Sequence, residues 1–513
     1  MGLEVLVFYI KTAILFGILG GAYYLYSQII KPALTIAYYK RQGCLHVKLA
    51  GLNVKKDLQE NAKKYGDGLG PIYIAAKTKP DTDAIILQMG SQVMIQITSP
   101  KLIKEFYAKE LQYYKTSASV DIFGLLVGDA ILFQTGEPYK KHRKLLAKPF
   151  HFDFLKYHVT SIENQAIEYC NEIAEGNLSA FRAQETFRRF MGGVATYILL
   201  GENVDKHILE GKPAMEFIND TFDMIKDVSQ QFSYTLFGLK FVKAGILPSH
   251  ARVLERCRLV YQTYHEIYKR KEKEYIDSGK NVPEDRKNLL QFLVDAKTNQ
   301  SEVQVTDEMV VGRFMDMTIA GMENTGKSVA LALCYLHFNP EMKKKLMEEI
   351  NEYWPKGDRI SIEVINACKY LHAFIKEVLR FGTNFGTSLD ATQTHKLGNI
   401  TIRKDQFVGV SFAFMHANPK FYQNPLEFDP ERYIRKSKSE GHNEEPFAWL
   451  PFGSGPRNCL GQNLALLNIK IMLLYFLRRF DFELPKDYKL KFTISLTRNL
   501  MTPPVFKLKP LDA

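Results

Sequence analysis

Apolar residues recur at spacings near three and four over 101–116, 138–175, 205–230, 250–278, 305–338, 340–353, 362–381 and 462–480. That spacing predicts helices there. Shorter alternating runs (AIILQM, VMIQI, NITI and FVGVSF) predict strands, clustered early and late around a mostly helical middle. The segment 276–305 is polar, contains Gly279 and Pro283, and reads as a surface connector. The pattern predicts one mainly α domain with minor β. It lacks the regular alternation of strand and helix that builds a parallel sheet.

The N-terminus departs from this pattern. Thr12–Ile30 carries no charged residue, and a run of about 20 apolar residues crosses a bilayer as one helix. Tyr23, Tyr24 and Tyr26 suit a membrane interface, and Lys31, Lys40, Arg41 and Lys48 follow on the side expected to face the cytosol. A cleaved signal peptide is the competing reading, but no small-residue cleavage site precedes a polar start. The expected organisation is an anchor over 1–31 and a catalytic domain over 32–513, held at the endoplasmic reticulum membrane by a single pass. Sequons at Asn177, Asn219, Asn299 and Asn399 then never meet the glycosylation machinery.

Composition narrows the class. Hydrophobic residues make up 46% of the 513 and charged residues 24%, which describes a folded chain with a large interior. The 34 Phe and 27 Tyr suit an apolar pocket. A net charge of +12 points to a membrane surface or an acidic protein partner, since no nucleic-acid motif accompanies it. Six separated cysteines without a CxxC pair form neither a disulfide framework nor a zinc site.

Two stretches carry candidate chemistry. AGMENTGKS (320–328) contains G-x-x-x-x-G-K-S from Gly321, the string of a phosphate-binding loop. Such a loop needs a strand before it and a helix after it, whereas 305–338 is helical in pattern throughout. PFGSGPRNCLGQNLALL (451–467) supplies Phe452, Gly455, Arg457, Cys459, Gly461 and Ala465 in the order F-x-x-G-x-R-x-C-x-G-x-x-x-A.

That second stretch resembles the haem-binding signature of the cytochromes P450, the haem-thiolate monooxygenases. The resemblance implies that Cys459, as thiolate, ligates the iron of iron protoporphyrin IX and favours O–O cleavage. It implies that Arg457 pairs with a haem propionate and that Phe452 packs beside the sulfur. Gly453, Gly455 and Gly461 give the loop its tight turn. The following helix is expected to lower the thiol pKa through its N-terminus.

Other stretches match the same family. Glu377 and Arg380 in KEVLR match its E-x-x-R pair, and the resemblance implies that Arg432 in DPERY joins them in a buried structural lock. Glu185 and Arg188 share the E-x-x-R spacing but not the position. GEPYKKHRKLLAKPF resembles the family's W-x-x-x-R helix, with Arg143 toward a propionate and Tyr139 where Trp is common. Lys140, Lys141, Lys144 and Lys470 are candidates for docking an acidic electron donor. The stretch 381–393 departs from the family, having neither the usual proline nor the propionate-binding arginine.

The resemblance also answers AGMENTGKS, which falls where the family's oxygen-binding helix carries A/G-G-x-D/E-T. Ala320 and Gly321 leave space beside the iron, and Glu323 matches the acid. Asn324 replaces the usual Thr, with Thr325 one residue later. Lys327 and Ser328 read as ordinary helix residues.

The family implies a monooxygenase that inserts one oxygen atom of dioxygen into a lipophilic small molecule. Its electrons come from NADPH through a flavoprotein reductase. A hydroperoxide-rearranging or dehydrating enzyme of the same fold, a P-loop nucleotidase and a non-catalytic haem sensor are the alternatives. Segments 117–134 and 222–246 are candidate pocket walls.

Overall fold

A computed structural model describes residues 2–109, 113–114, 121–128, 130–299, 303–382, 384, 386–435, 445–494 and 498–511. The chain is mainly helical with several small sheets. Of the predicted strand runs, AIILQM, VMIQI and FVGVSF meet in one six-stranded sheet, whereas NITI pairs with His395–Leu397 in a separate two-stranded sheet. The order of the larger sheet is Leu45–Ala50, Ala84–Met89, Gln92–Ile97, Phe407–Val410, Leu389–Ala391 and Tyr113–Tyr114. Phe407–Val410 runs parallel to Gln92–Ile97, with Phe407 opposite Met94 and Val410 opposite Ile97. This pairing, across most of the chain, carries the residues after Gly382 back over the N-terminal sheet.

The helical body is built around Asp307–Phe338. Thr306 caps that helix by accepting from the Met309 N–H, and Asp307 and Glu308 occupy its positive first turn. Every residue from Thr325 to Leu336 is buried, so the helix is a core element rather than a surface one. Against it lies Ala183–Leu200, a helix the apolar spacing does not predict, because its second half is buried nearly all round.

The two helices approach closely at glycine. A Cβ on Gly326 would sit 2.5 Å from the Arg188 N, and one on Gly321 would sit 3.3 Å from the Ala195 Cβ. Both glycines of the P-loop-like string therefore serve helix packing. The string is helical throughout, with no strand-to-loop transition, and the nucleotide-loop reading fails on this point.

Three further expectations change. The span 138–175 breaks into Gly136–Ala147 and Val159–Glu175, with short turns between them around Pro149. The connector 276–305 contains a helix, Leu289–Thr298. Asn288 and Gln291 form a capping box there, and Leu289, Leu290 and Leu293 are buried. Lys470 is buried rather than displayed for docking, whereas Lys140, Lys141 and Lys144 are exposed.

At the N-terminus Gly2–Leu25 is helical and continues through Tyr26–Ile30 into Lys31–Lys40. Among the described residues no helix is long and apolar enough to cross a membrane. The side chains of Thr12, Ala13 and Phe16, within the expected span, lie outside the described residues.

Candidate active site

One cavity of about 490 Å³ lies between the central helix and the cysteine loop, within the range of small-molecule and cofactor sites. Its walls bring together Ala320, Gly321, Asn324 and Thr325 from the central helix. Tyr139 and Arg143 join them from Gly136–Ala147, and Phe452, Arg457, Cys459 and Gly461 from the cysteine loop. Of the sequence-predicted site residues, Glu323 and Gly455 are absent from this lining.

The cysteine loop is shaped by its backbone. The Cys459 N–H donates to the Phe452 carbonyl at 2.8 Å, closing the turn. Gly453 and Gly455 hold φ of +67° and +68°, the left-handed region that a side chain disfavours. A Cβ on Gly455 would also meet the Tyr107 ring at 2.7 Å. Gly455 is thus a packing and turn residue rather than a lining one.

Cys459 is open to the cavity rather than to bulk water. Burial raises its thiol above the ordinary value, opposed by the Gly461 N–H and the Arg143 charge. The expected depression by the helix N-terminus is therefore present as an opposing influence, and removal from water outweighs it.

Arg143 and Arg457 line the cavity with the sulfur and share a network through Tyr139. Arg143 Nη1 donates to the Tyr139 hydroxyl at 3.0 Å and to the Asn458 carbonyl at 2.9 Å. The Tyr139 hydroxyl donates onward to the Pro456 carbonyl at 3.0 Å. Arg457 donates through Nη1 and Nη2 to the Gln134 carbonyl, both at 3.1 Å. Its guanidinium also lies 4.1 Å from the Tyr139 ring centre. Tyr139 holds both arginines in place, which explains how Tyr serves where the family pattern has Trp.

On the opposite wall, Ala320 and Asn324 are one turn apart and are the exposed positions in a buried stretch. Glu323 turns away into a buried charge cluster. It pairs with Arg188 at 2.8 Å, Lys226 at 3.1 Å and Lys327 at 3.5 Å. Burial raises its pKa, but the charges of Lys327, Arg188 and Lys226 prevail and hold it below the ordinary carboxylate value. Arg188, the second E-x-x-R arginine, therefore belongs to this cluster and not to a haem lock.

Lys327 and Ser328 also line the cavity, contrary to the ordinary-helix reading. Their burial is set by tertiary contacts with the 183–200 helix and with the paired strands Phe492–Ile494 and Arg498–Leu500, which helical spacing alone does not encode. Segment 222–246 contributes no described residue to the cavity. Ile131 and Leu132 of 117–134 do, and 117–120 lie outside the described residues. The sequence reading also missed Leu379, Phe492 and Leu500 as apolar wall residues.

Behind the loop, Glu377 pairs with Arg380 at 2.7 Å and with Arg432 at 3.1 Å, all three buried. Arg380 Nη1 donates to the His416 carbonyl at 2.6 Å, and the Leu450 N–H donates to His416 Nε2 at 2.8 Å. His416, another residue the sequence reading missed, ties the approach to the cysteine loop onto the lock. Burial, together with the Arg380 charge, lowers its pKa to about 3.

A cysteine sulfur in one cavity with a helix groove and two guanidiniums is the arrangement a haem-thiolate oxidoreductase site requires. The cytochrome P450 family matches residues 60–510. Cytochrome P450 3A56 of Fundulus heteroclitus is 25% identical over 424 residues, covering 81% of this chain and 82% of its own. Cytochrome P450 4c21 of Blattella germanica is 25% identical over 426 residues, covering 80% and 81%. Cytochrome P450 3A13 of Mus musculus is 25% identical over 432 residues, covering 79% and 80%.

The chain belongs to the cytochrome P450 family and is a haem-binding monooxygenase. The donor set fits haem: one sulfur for the iron, and two arginines whose charge suits the two propionates.

Proposed function

We propose that this enzyme oxygenates a lipophilic small molecule with electrons drawn from NADPH by a flavoprotein reductase, while anchored at the endoplasmic reticulum membrane with residues 32–513 in the cytosol. The observation that carries this reading is Cys459 in one cavity with Arg143, Arg457, Ala320 and Asn324. Bound haem supplies dioxygen activation and oxygen insertion. Cys459 would hold the iron as thiolate, and Arg143 and Arg457 would neutralise the propionates. Phe452 shields the sulfur, while Gly455 and Gly461 shape the loop. Ala320 and Gly321 would leave space for dioxygen and Asn324 and Thr325 would orient water, while Glu323, outside the cavity lining, would take part in proton supply only through its partner Lys327.

The anchor reading is supported by exposed Ile14, Leu15, Ile18 and Leu19 in the first helix. Exposed Lys140, Lys141 and Lys144 near the loop suit an acidic reductase. Purified holoenzyme reconstituted with a reductase should turn over lipophilic substrates only with NADPH and dioxygen present. One observation favours a second reading: Asn324 stands where the hydroxyl is expected, which also suits an enzyme that rearranges a hydroperoxide. Turnover of a hydroperoxide without NADPH or reductase would select that reading.

A further inference from the structure

We propose that Asn384 determines specificity by donating a hydrogen bond from its carboxamide to a carbonyl oxygen on the substrate. This rests on the monooxygenase reading of the same cavity and narrows its substrate class to lipophilic carbonyl compounds rather than bare hydrocarbons.

Asn384 lies two residues past the helix Lys369–Gly382, within the stretch 381–393 that departs from the family pattern, and it lines the cavity. Contacts on both sides hold it against the central helix. A Cβ on Gly382 would meet Leu331 Cδ2 at 3.0 Å, so the end of the 369–382 helix is pressed onto the central helix. The Arg498 N–H donates to Asn384 Oδ1 at 3.0 Å, and the Arg498 carbonyl accepts from Lys327 of the central helix at 3.3 Å. Asn384 is thus tied to the central-helix wall and stands outside the Arg143–Tyr139–Arg457 network of the cysteine loop.

The backbone donor also sets which way the amide faces. An N–H can only donate, so it meets the carboxamide oxygen, and the flipped amide would set donor against donor. The NH2 is therefore the outward end. Among the described residues it makes no hydrogen bond, and it is not one of the buried polar atoms closed off without a partner. Because the residue is part-exposed and lines the cavity, that NH2 is what it offers a ligand.

Polar neighbours on this wall are already engaged. The Ser328 hydroxyl donates back to the Asn324 carbonyl at 2.8 Å, and the Thr387 hydroxyl accepts from the Val410 N–H at 3.3 Å. Leu331, Leu379, Leu389 and Leu500 make the surrounding wall apolar. A donor in such surroundings discriminates by whether the ligand brings an acceptor, because a ligand without one leaves the amide desolvated and unpaired.

The test titrates holoenzyme with 2-tridecanone and with tridecane, reading the Soret shift, in the wild type, Asn384→Leu and Asn384→Asp. Leucine removes the amide. Aspartate, read at about pH 8 to keep it ionised, still accepts from the Arg498 N–H but donates nothing, so it serves if the leucine variant does not fold. The wild type should bind the ketone more tightly than the alkane. Both variants should weaken the ketone, and the ketone-to-alkane ratio should fall about tenfold, the factor that 1.4 kcal/mol gives. No Soret shift with the ketone in the wild type, or tighter binding of tridecane there, overturns the proposal. So does an unchanged ratio in either folded variant, or a ratio that falls only because tridecane binds more tightly. The carbon monoxide spectrum of the same samples tests the haem-thiolate reading separately, so the two can fail independently.

Discussion

Arg432 Nε donates to Glu377 Oε1 at 3.1 Å, and the same oxygen accepts from Arg380 Nη2 at 2.7 Å. One fully buried carboxylate therefore compensates two buried cations, joining the 369–382 helix to the 430–433 turn. Glu377→Ala leaves both guanidiniums buried and uncompensated, a loss of about 3–5 kcal/mol for broken buried pairs. Chemical denaturation should show that loss, with reduced haem incorporation on expression.

His416 gives the fold a pH dependence of known sign. Its folded pKa is about 3 against an ordinary 6.5, so between these values the unfolded chain binds a proton that the folded chain does not. Stability is therefore lost as pH falls from 6.5 toward 3, by up to one proton's worth of slope. His416→Gln should flatten the denaturation midpoint over that window relative to the wild type. An unchanged slope would place the acid sensitivity at other groups, such as His372, whose pKa burial lowers to about 4.

Gly455→Ala should destabilise the cysteine loop twice over. Its φ of +68° costs a side chain of order 1–3 kcal/mol, and the added Cβ meets the Tyr107 ring at 2.7 Å. Combining it with Tyr107→Ala should recover only the contact part, which a double-mutant thermal series can read. Full recovery would show that the backbone angle contributes nothing.

These residues also show what the sequence could and could not reveal. The Phe452–Ala465 signature, the 305–338 helix and the Glu377–Arg380 pair are local patterns, legible because their chemistry dictates residue type at fixed spacing. Ala183–Leu200 escaped because burial on nearly every side erases the helical period. Lys327 and His416 escaped for a different reason. Their roles come from partners far along the chain, Arg498 and Leu450, that only the tertiary fold supplies. Lys470 looked like a docking residue because charge alone cannot report which face of a helix is covered.

Asn324, exposed to the cavity one turn from Ala320, is the position where the oxygen-handling wall departs from the family pattern. Its carboxamide offers both a donor and an acceptor to a water. Asn324→Ala should release more peroxide and form several-fold less product per NADPH consumed, whereas Asn324→Thr should retain much of the activity. Unchanged coupling in Asn324→Ala would remove the amide from oxygen activation.

The measurement that bears most directly on the central assignment is the difference spectrum of reduced protein with carbon monoxide. Thiolate ligation by Cys459 predicts the strongly red-shifted Soret band in the wild type and its loss in Cys459→Ala. The other five cysteines, all buried, should not restore it. A Cys459→Ala protein that keeps the band would contradict the account at its centre.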